Sequence, residues 1–239
     1  MDELGSDPRF QCNPSKRGAI PGRLRDVTNA APAQRRRADA QRNYCALVLA
    51  ARDVFGERGI DAPLDEIAQR AGIGNATLYR HFPTRCELIV AVFTEQMQAY
   101  ADAARQAAEA DDAWAGLRDY VRTICAIQAS NRGLADLLTN SQLNDETLLA
   151  LRRSAHRDVT RVIRRAKREG SLRADFRTQD IALILMANAG VVRYTADIAP
   201  GSSDRVVALI LDGLAASAAT EGPPSPKERL ILAALGGNP

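Results

Sequence analysis

A chain of 239 residues can hold one large domain or two small ones, and an apolar fraction of 46% is enough for a real core. The net charge of +3 excludes a globally basic surface, so any nucleic-acid footprint must be local. Four cysteines (Cys12, Cys45, Cys86, Cys125) stand far apart with no C-x-x-C spacing, and neither histidine has a ligand at helical spacing; no metal and no cofactor is expected. Cys45 and Cys86 fall within apolar helical patterns and read as buried, reduced thiols. There is no signal-peptide pattern and no apolar run long enough to cross a membrane, so a cytoplasmic protein without a membrane partner is expected. Ala, Leu and Arg dominate and alternating runs are absent, which predicts helix throughout.

Residues 1–37 contain several Pro, Gly and Ser, show no sustained period and read as a disordered basic N-terminal arm. They carry +4 and leave the rest of the chain near −1. Arg35-Arg36-Arg37 can reach a minor groove or serve only as a solvated leader. Leu47, Ala51, Val54 and Phe55 then mark a helix closed by Gly59.

The segment Pro63–Phe82, PLDEIAQRAGIGNATLYRHF, predicts two short helices around a tight turn. Pro63 suits a first helical position, with Asp65 and Glu66 at the positive end of the helix dipole. Leu64, Ile67, Ala68 and Ala71 form one apolar face, and Gly72 can take the left-handed turn conformation. Asn75 is expected to cap the second helix, with Ile73 and Leu78 filling the angle. Ala76, Thr77, Tyr79, Arg80 and His81 then point outward. Hydroxyls and cations on so few residues suit phosphates and base edges. An ordinary helical hairpin remains an alternative on spacing alone. The next corner favours DNA: Thr84 and Glu87 form a capping box that opens a long helix beside the short one, and Arg85 adds a cation.

The run from Arg42 to Glu87 resembles the N-terminal domain of the TetR family of bacterial transcriptional regulators. The matching residues include Ala50-Ala51, Phe55, Gly59, Asp65-Glu66-Ile67-Ala68, Ala71-Gly72-Ile73, Thr77-Leu78-Tyr79, His81-Phe82-Pro83, Arg85 and Leu88. The chain departs from the family at Asp61-Ala62-Pro63, where many members have a capping Thr or Ser, and at Arg85, where Lys is commoner. The resemblance implies DNA contacts from Asn75, Ala76, Thr77, Tyr79, His81, Thr84 and Arg85. With Arg80 and Arg42 they complete the expected DNA-binding set, while Phe82, Leu78 and Ile67 are expected in the core.

Beyond Glu87, apolar periods predict helices around Trp114–Ile127, Leu134–Leu138 and Asp145–Glu169, the last stopped by Gly170 and carrying an Arg-dense, solvated face. Thr178 is expected to cap a helix apolar nearly all round, and Asp204–Ala219 gives another. The tail carries one last turn or two around Lys227–Leu235. Two such apolar helices make a self-association surface, expected at Ile184, Val191, Val207, Ile210, Leu211 and Leu214; in the TetR family the last two long helices pair as a four-helix bundle. The resemblance also implies an effector cavity, with wall candidates Trp114, Tyr120, Ile124, Leu138, Met186, Asn188, Gly190, Arg193 and Tyr194. Asn188 and Arg193 need polar partners, across the dimer or on a ligand.

The expected fold is all-α: an N-terminal three-helix helix-turn-helix DNA-binding domain (38–85) joined to a larger helical ligand-binding and dimerisation domain (86–220), with a tail at 221–239. The expected function is a homodimeric repressor of a palindromic double-stranded DNA operator, released by an unknown small-molecule effector. A ligand-independent regulator or an activator is the alternative. A helical enzyme is disfavoured, because no catalytic grouping and no Glu-x-x-His pair occurs.

Overall fold

The computed structural model describes residues 30–139 and 145–234. Among them the chain is helical, with a single antiparallel bridge between Leu172 and Ala215. Four helices come first: α1 (Ala30–Arg58), α2 (Leu64–Arg70), α3 (Asn75–His81) and α4 (Arg85–Glu109). They are followed by α5 (Ala113–Ser130), α6 (Arg132–Thr139), α7 (Glu146–Arg168), α8 (Asp180–Thr195), α9 (Ser202–Leu214) and α10 (Glu228–Ala234).

Local chemistry explains most of the ends. Gly59, Gly72 and Gly170 follow α1, α2 and α7 with φ of 89°, 66° and 71°, a region that side-chain-bearing residues avoid. Asp112 accepts the Ala115 N–H at 2.9 Å, and Asp145 accepts those of Thr147 and Leu148 at 2.9 and 3.1 Å. Asn131 caps α6 through the Leu134 N–H at 2.9 Å.

Several boundaries differ from expectation. α1 begins at Ala30, so Arg35, Arg36 and Arg37 are exposed helical residues; residues 1–29 of the expected arm lie outside the described residues. Ala, Gln and Arg are strong helix formers, and Pro32 falls in the first turn, where its missing N–H costs nothing. Pro63 occupies the cap of α2 rather than its first turn. The cap of α3 is Gly74, not Asn75, whose side chain donates instead to Asp65 at 2.9 Å. Thr178 precedes the Gln179 cap of α8, and its hydroxyl pairs with that of Thr160 at 3.2 Å. α9 stops at Leu214 and gives way to a short 3-10 turn, Ala216–Ala218.

Two apolar cores are strung along α4. The first half of α4 (Leu88, Ile89, Phe93, Met97) packs with Leu47, Val54 and Phe55 of α1, Ile67 of α2, Leu78 of α3 and Leu137 of α6. The second half (Ala101, Ala104, Ala108) packs with α5, α7, α8 and α9. Packing therefore does not divide at residue 85. Leu134, Leu137 and Leu148, which lie beyond that point in sequence, belong to the core of the N-terminal unit. Each fully buried Leu, Ile or Phe contributes about 1.5–3 kcal/mol.

Candidate nucleic-acid interface

α1 supports the helix pair through paired charges on the rim and apolar contacts beneath. Arg70 of α2 forks onto Glu57 of α1 at 2.6 and 3.0 Å, and Arg58 reaches Glu66 at 2.6 Å. The Arg70 hydrogen bond holds the Glu57 carboxyl below its ordinary pKa. Leu78 is fully buried and Phe82 nearly so, anchoring both ends of α3 in the core. With these inside, Asn75, Ala76, Tyr79 and Arg80 stand exposed on the outer face of the same short helix, Tyr79 at 48%. Thr77 is half-buried beside them.

Five of the expected DNA contacts are engaged within the chain, Asn75 among them through its bond to Asp65. His81 is half-buried, edge-on to Tyr44 with ring centres 6.4 Å apart, so it is not a freely projecting side chain. The Thr84 hydroxyl is engaged in the capping box: it accepts the Glu87 N–H at 3.2 Å and donates to the Glu87 carboxylate at 3.1 Å. Arg85 turns back to donate to the carbonyls of Ile60 and Ala62 at 2.8 and 2.6 Å, fastening the corner between α1 and α2. Arg42 is exposed on α1 and ion-paired with Asp39. The face with the fewest internal commitments is that of Ala76, Tyr79 and Arg80.

Residues 47–92 match the family model for bacterial regulatory proteins of the tetR family, and residues 109–216 match that of the SbtR-like transcriptional regulator C-terminal domain. A TetR transcription regulatory protein of Mycobacterium vanbaalenii, of known crystal structure, is 32% identical. The match covers 75% of this chain and 98% of that one, with a TM-score of 0.45. The chain belongs to the TetR family. The chain is also similar to the HTH-type transcriptional activator FasR of Mycolicibacterium smegmatis, 42% identical over 62 residues, which are 26% of this chain and 28% of that activator's length. A TetR-family regulator of Agrobacterium tumefaciens shares the fold, with a TM-score of 0.51 at 22% identity, over 74% of this chain and 99% of that one.

In this TetR-family chain the expected effector-site residues do not gather in one place. Tyr120 and Leu138 line a cavity of about 360 Å³, together with Tyr100, Arg152, Leu185 and Ile231. Ile124 is fully buried in the core, and Trp114 is half-buried under Arg118, 5.7 Å from its ring centre. Met186 is half-buried and lines none of the described cavities. Asn188 is completely buried and forms a polar junction: it donates to the Cys125 carbonyl at 3.2 Å and to Gln128 at 3.1 Å, and accepts from Ser203 at 2.7 Å. Its partners lie within its own chain, on α5 and α9. Arg193 and Gly190 line a separate cavity with Arg58 and Arg132, where α1, α6 and α8 meet. Tyr194 is 77% exposed.

The expected self-association residues differ in exposure. Ile184, Val207, Leu211 and Leu214 are buried in their own chain's core; Val191 and Ile210 are half-buried. The apolar residues left outside are Leu183 and Tyr194 of α8, Ile198 just beyond it, and Leu209 of α9. Tyr100 and Arg152 went unnoticed in the sequence, because one sits in an Ala-rich stretch and the other on the Arg-dense face of α7. Among the described cysteines, Cys125 is buried, whereas Cys45 and Cys86 are half-buried. No helix among the described residues is long and apolar enough to cross a membrane.

Proposed function

We propose that this chain is a homodimeric regulator that reads a palindromic operator with α3 of each copy and responds to a small molecule in the cavity lined by Tyr100, Tyr120 and Arg152. The observation that carries the reading is α3 itself: Leu78 is locked inside while Ala76, Tyr79 and Arg80 share an exposed face with no packing role. Such a face suits the major groove, where a tyrosine hydroxyl meets phosphate and its ring meets thymine methyls. One short helix reads few base pairs, so two copies on half-sites about one turn apart are needed for specificity. The Leu183, Tyr194 and Leu209 surface suits that pairing.

Repression by occupancy follows if the operator overlaps a promoter. An effector favouring a state with misplaced recognition helices then relieves it, for which a coupling of ~1–3 kcal/mol suffices. The likeness of about a quarter of the chain to an activator supports a second reading, in which the bound dimer recruits polymerase.

A mobility shift on the intergenic DNA upstream of the coding sequence, at near-physiological salt with competitor, tests the reading. Tyr79→Ala is expected to weaken the specific complex by about 1–3 kcal/mol per half-site, tenfold or more, with unchanged helicity. A Tyr79→Ala protein that binds as wild type would remove α3 from the interface. A promoter fusion separates the outputs: repression predicts lower expression with the protein present, activation higher.

A further inference from the structure

The cavity among α4, α5, α7 and α8 is chemically lopsided. Val159, Ile181, Ala182 and Leu185 make much of its wall apolar. Its polar lining includes Arg153, His156, Thr178, Gln179 and Glu228, and one cluster stands within it: the Tyr100 and Tyr120 rings lie 6.1 Å apart, and the Arg152 cation is near enough to Tyr100 to offset part of the upward push that burial gives its phenol. The Tyr120 hydroxyl is enclosed and has no hydrogen-bond partner among the described residues. Buried polar atoms are nearly always satisfied, and an orphaned hydroxyl in a cavity wall marks where a ligand's polar group belongs. A volume of about 360 Å³ falls in the usual range for such sites.

The C-terminal segment crosses this cavity. Ile231 is buried and lines it, whereas its described neighbours in α10 are exposed. The approach is tied down by the Ser225 hydroxyl on Asp180 at 2.5 Å and by Gln179 on the Pro226 carbonyl at 3.1 Å. Glu228 lies 3.9 Å from His156.

We propose that this cavity binds a small organic anion, a carboxylate on an apolar chain or ring, anchored by Arg152 and the two tyrosines and covered by α10. The proposal rests on reading the cavity as the effector site. An anion is the class that fits because every polar group in the cluster can donate: the guanidinium presents five N–H groups, enough for a carboxylate beside other partners, and each phenol presents one. An amine would place a second cation beside Arg152. An alcohol would forgo the charge-assisted bonds that give the site its selectivity.

Calorimetry on the full-length protein with octanoate, 1-octanol, octylamine and 4-hexylbenzoate tests the class. At least one of the two carboxylates is expected to bind about tenfold or more tightly than the alcohol, and the amine not at all. Arg152→Gln should erase that preference while leaving alcohol binding unchanged, and Arg152→Lys should restore part of it. Ile231→Ala should speed association of the carboxylate without altering the order of affinities. Equal binding of octanol and octanoate, indifference to Arg152→Gln, or no binding of either carboxylate overturns the anion assignment. An unchanged association rate in Ile231→Ala overturns the cover. Ala182→Trp, which fills the cavity, separates this failure from that of the underlying reading. If it abolishes binding, the site stands whatever its preferred charge; if the filled variant binds octanoate as well as wild type, the cavity is not the site and both fall.

Discussion

Asn188 illustrates how a polar residue earns a place in an apolar helix. Its amide joins α8 to α5 and α9 through three hydrogen bonds of 2.7–3.2 Å, at a point with no water access. Asn188→Ala strands the Ser203 hydroxyl and the Gln128 carbonyl oxygen, at about 1–3 kcal/mol for each buried group left unpaired. Urea unfolding should show a lower midpoint at an unchanged slope, since the surface exposed on unfolding stays the same. Three residues from Gln128, Cys125 offers a pH test. Burial pushes its thiol up to about 12 from an ordinary 9.0. The folded chain thus keeps a proton that the unfolded chain loses, so this contribution to stability is complete below pH 9 and falls as pH rises towards 12. The slope approaches ~1.4 kcal/mol per pH unit. Cys125→Ala should flatten the decline in stability measured from pH 8 to 10.5; an unchanged profile would show that the thiol is not the group responsible.

Among the elements, α6 lies in close contact with its neighbours. An added methyl at Gly133 would stand 2.7 Å from the Phe93 ring and 2.8 Å from the Phe55 carbonyl, so α6 can lie against α1 and α4 only with glycine there. Nearby, the Asp136 carboxylate on α6 accepts the Ile60 N–H at 3.1 Å, at the corner where α1 turns towards α2. Gly133→Ala must push α6 outward and is expected to cost about 1–3 kcal/mol, read as a lower Tm. It should also weaken operator binding beyond what the stability loss explains, because the displaced helix packs on the base of the DNA-binding unit. Normal operator affinity in a folded Gly133→Ala protein would mean that α6 supports the fold without positioning the recognition helix.

For the whole molecule, α4 passes through both cores, so the N-terminal unit and the helical body are packed as neighbours along one rod. The outer face of α8 and α9, with Leu183, Tyr194 and Leu209 exposed, is more apolar than an isolated chain has use for. Leu209→Glu should therefore yield a folded monomer by light scattering and lose operator affinity with it. The monomer should also show a shallower dependence of binding on salt, since half the phosphate contacts are gone. A Leu209→Glu dimer would place the pairing surface elsewhere.

The helix-turn-helix unit was legible in the sequence because its signals are local. The Gly72 turn, the Thr84–Glu87 capping box, the apolar period of α2 and the anchors Leu78 and Phe82 each depend on residues a few positions apart. Even there, whether Asn75 or Gly74 caps α3, and whether Arg85 faces DNA or the Ile60 carbonyl, depended on neighbours from other helices. In the helical body the local signal identified elements but not faces. α8 is apolar on nearly every side, so no period says which side turns inward, and contact with α5 and α9 decided that Ile184 is buried while Leu183 is exposed. Long-range packing likewise withdrew Arg152 from an otherwise solvated face and drew Ile231 into the cavity. Turns, caps and helical stripes are properties of short segments, whereas buried polar partners and cavity walls come from residues dozens of positions apart. Only the tertiary structure could bring those together.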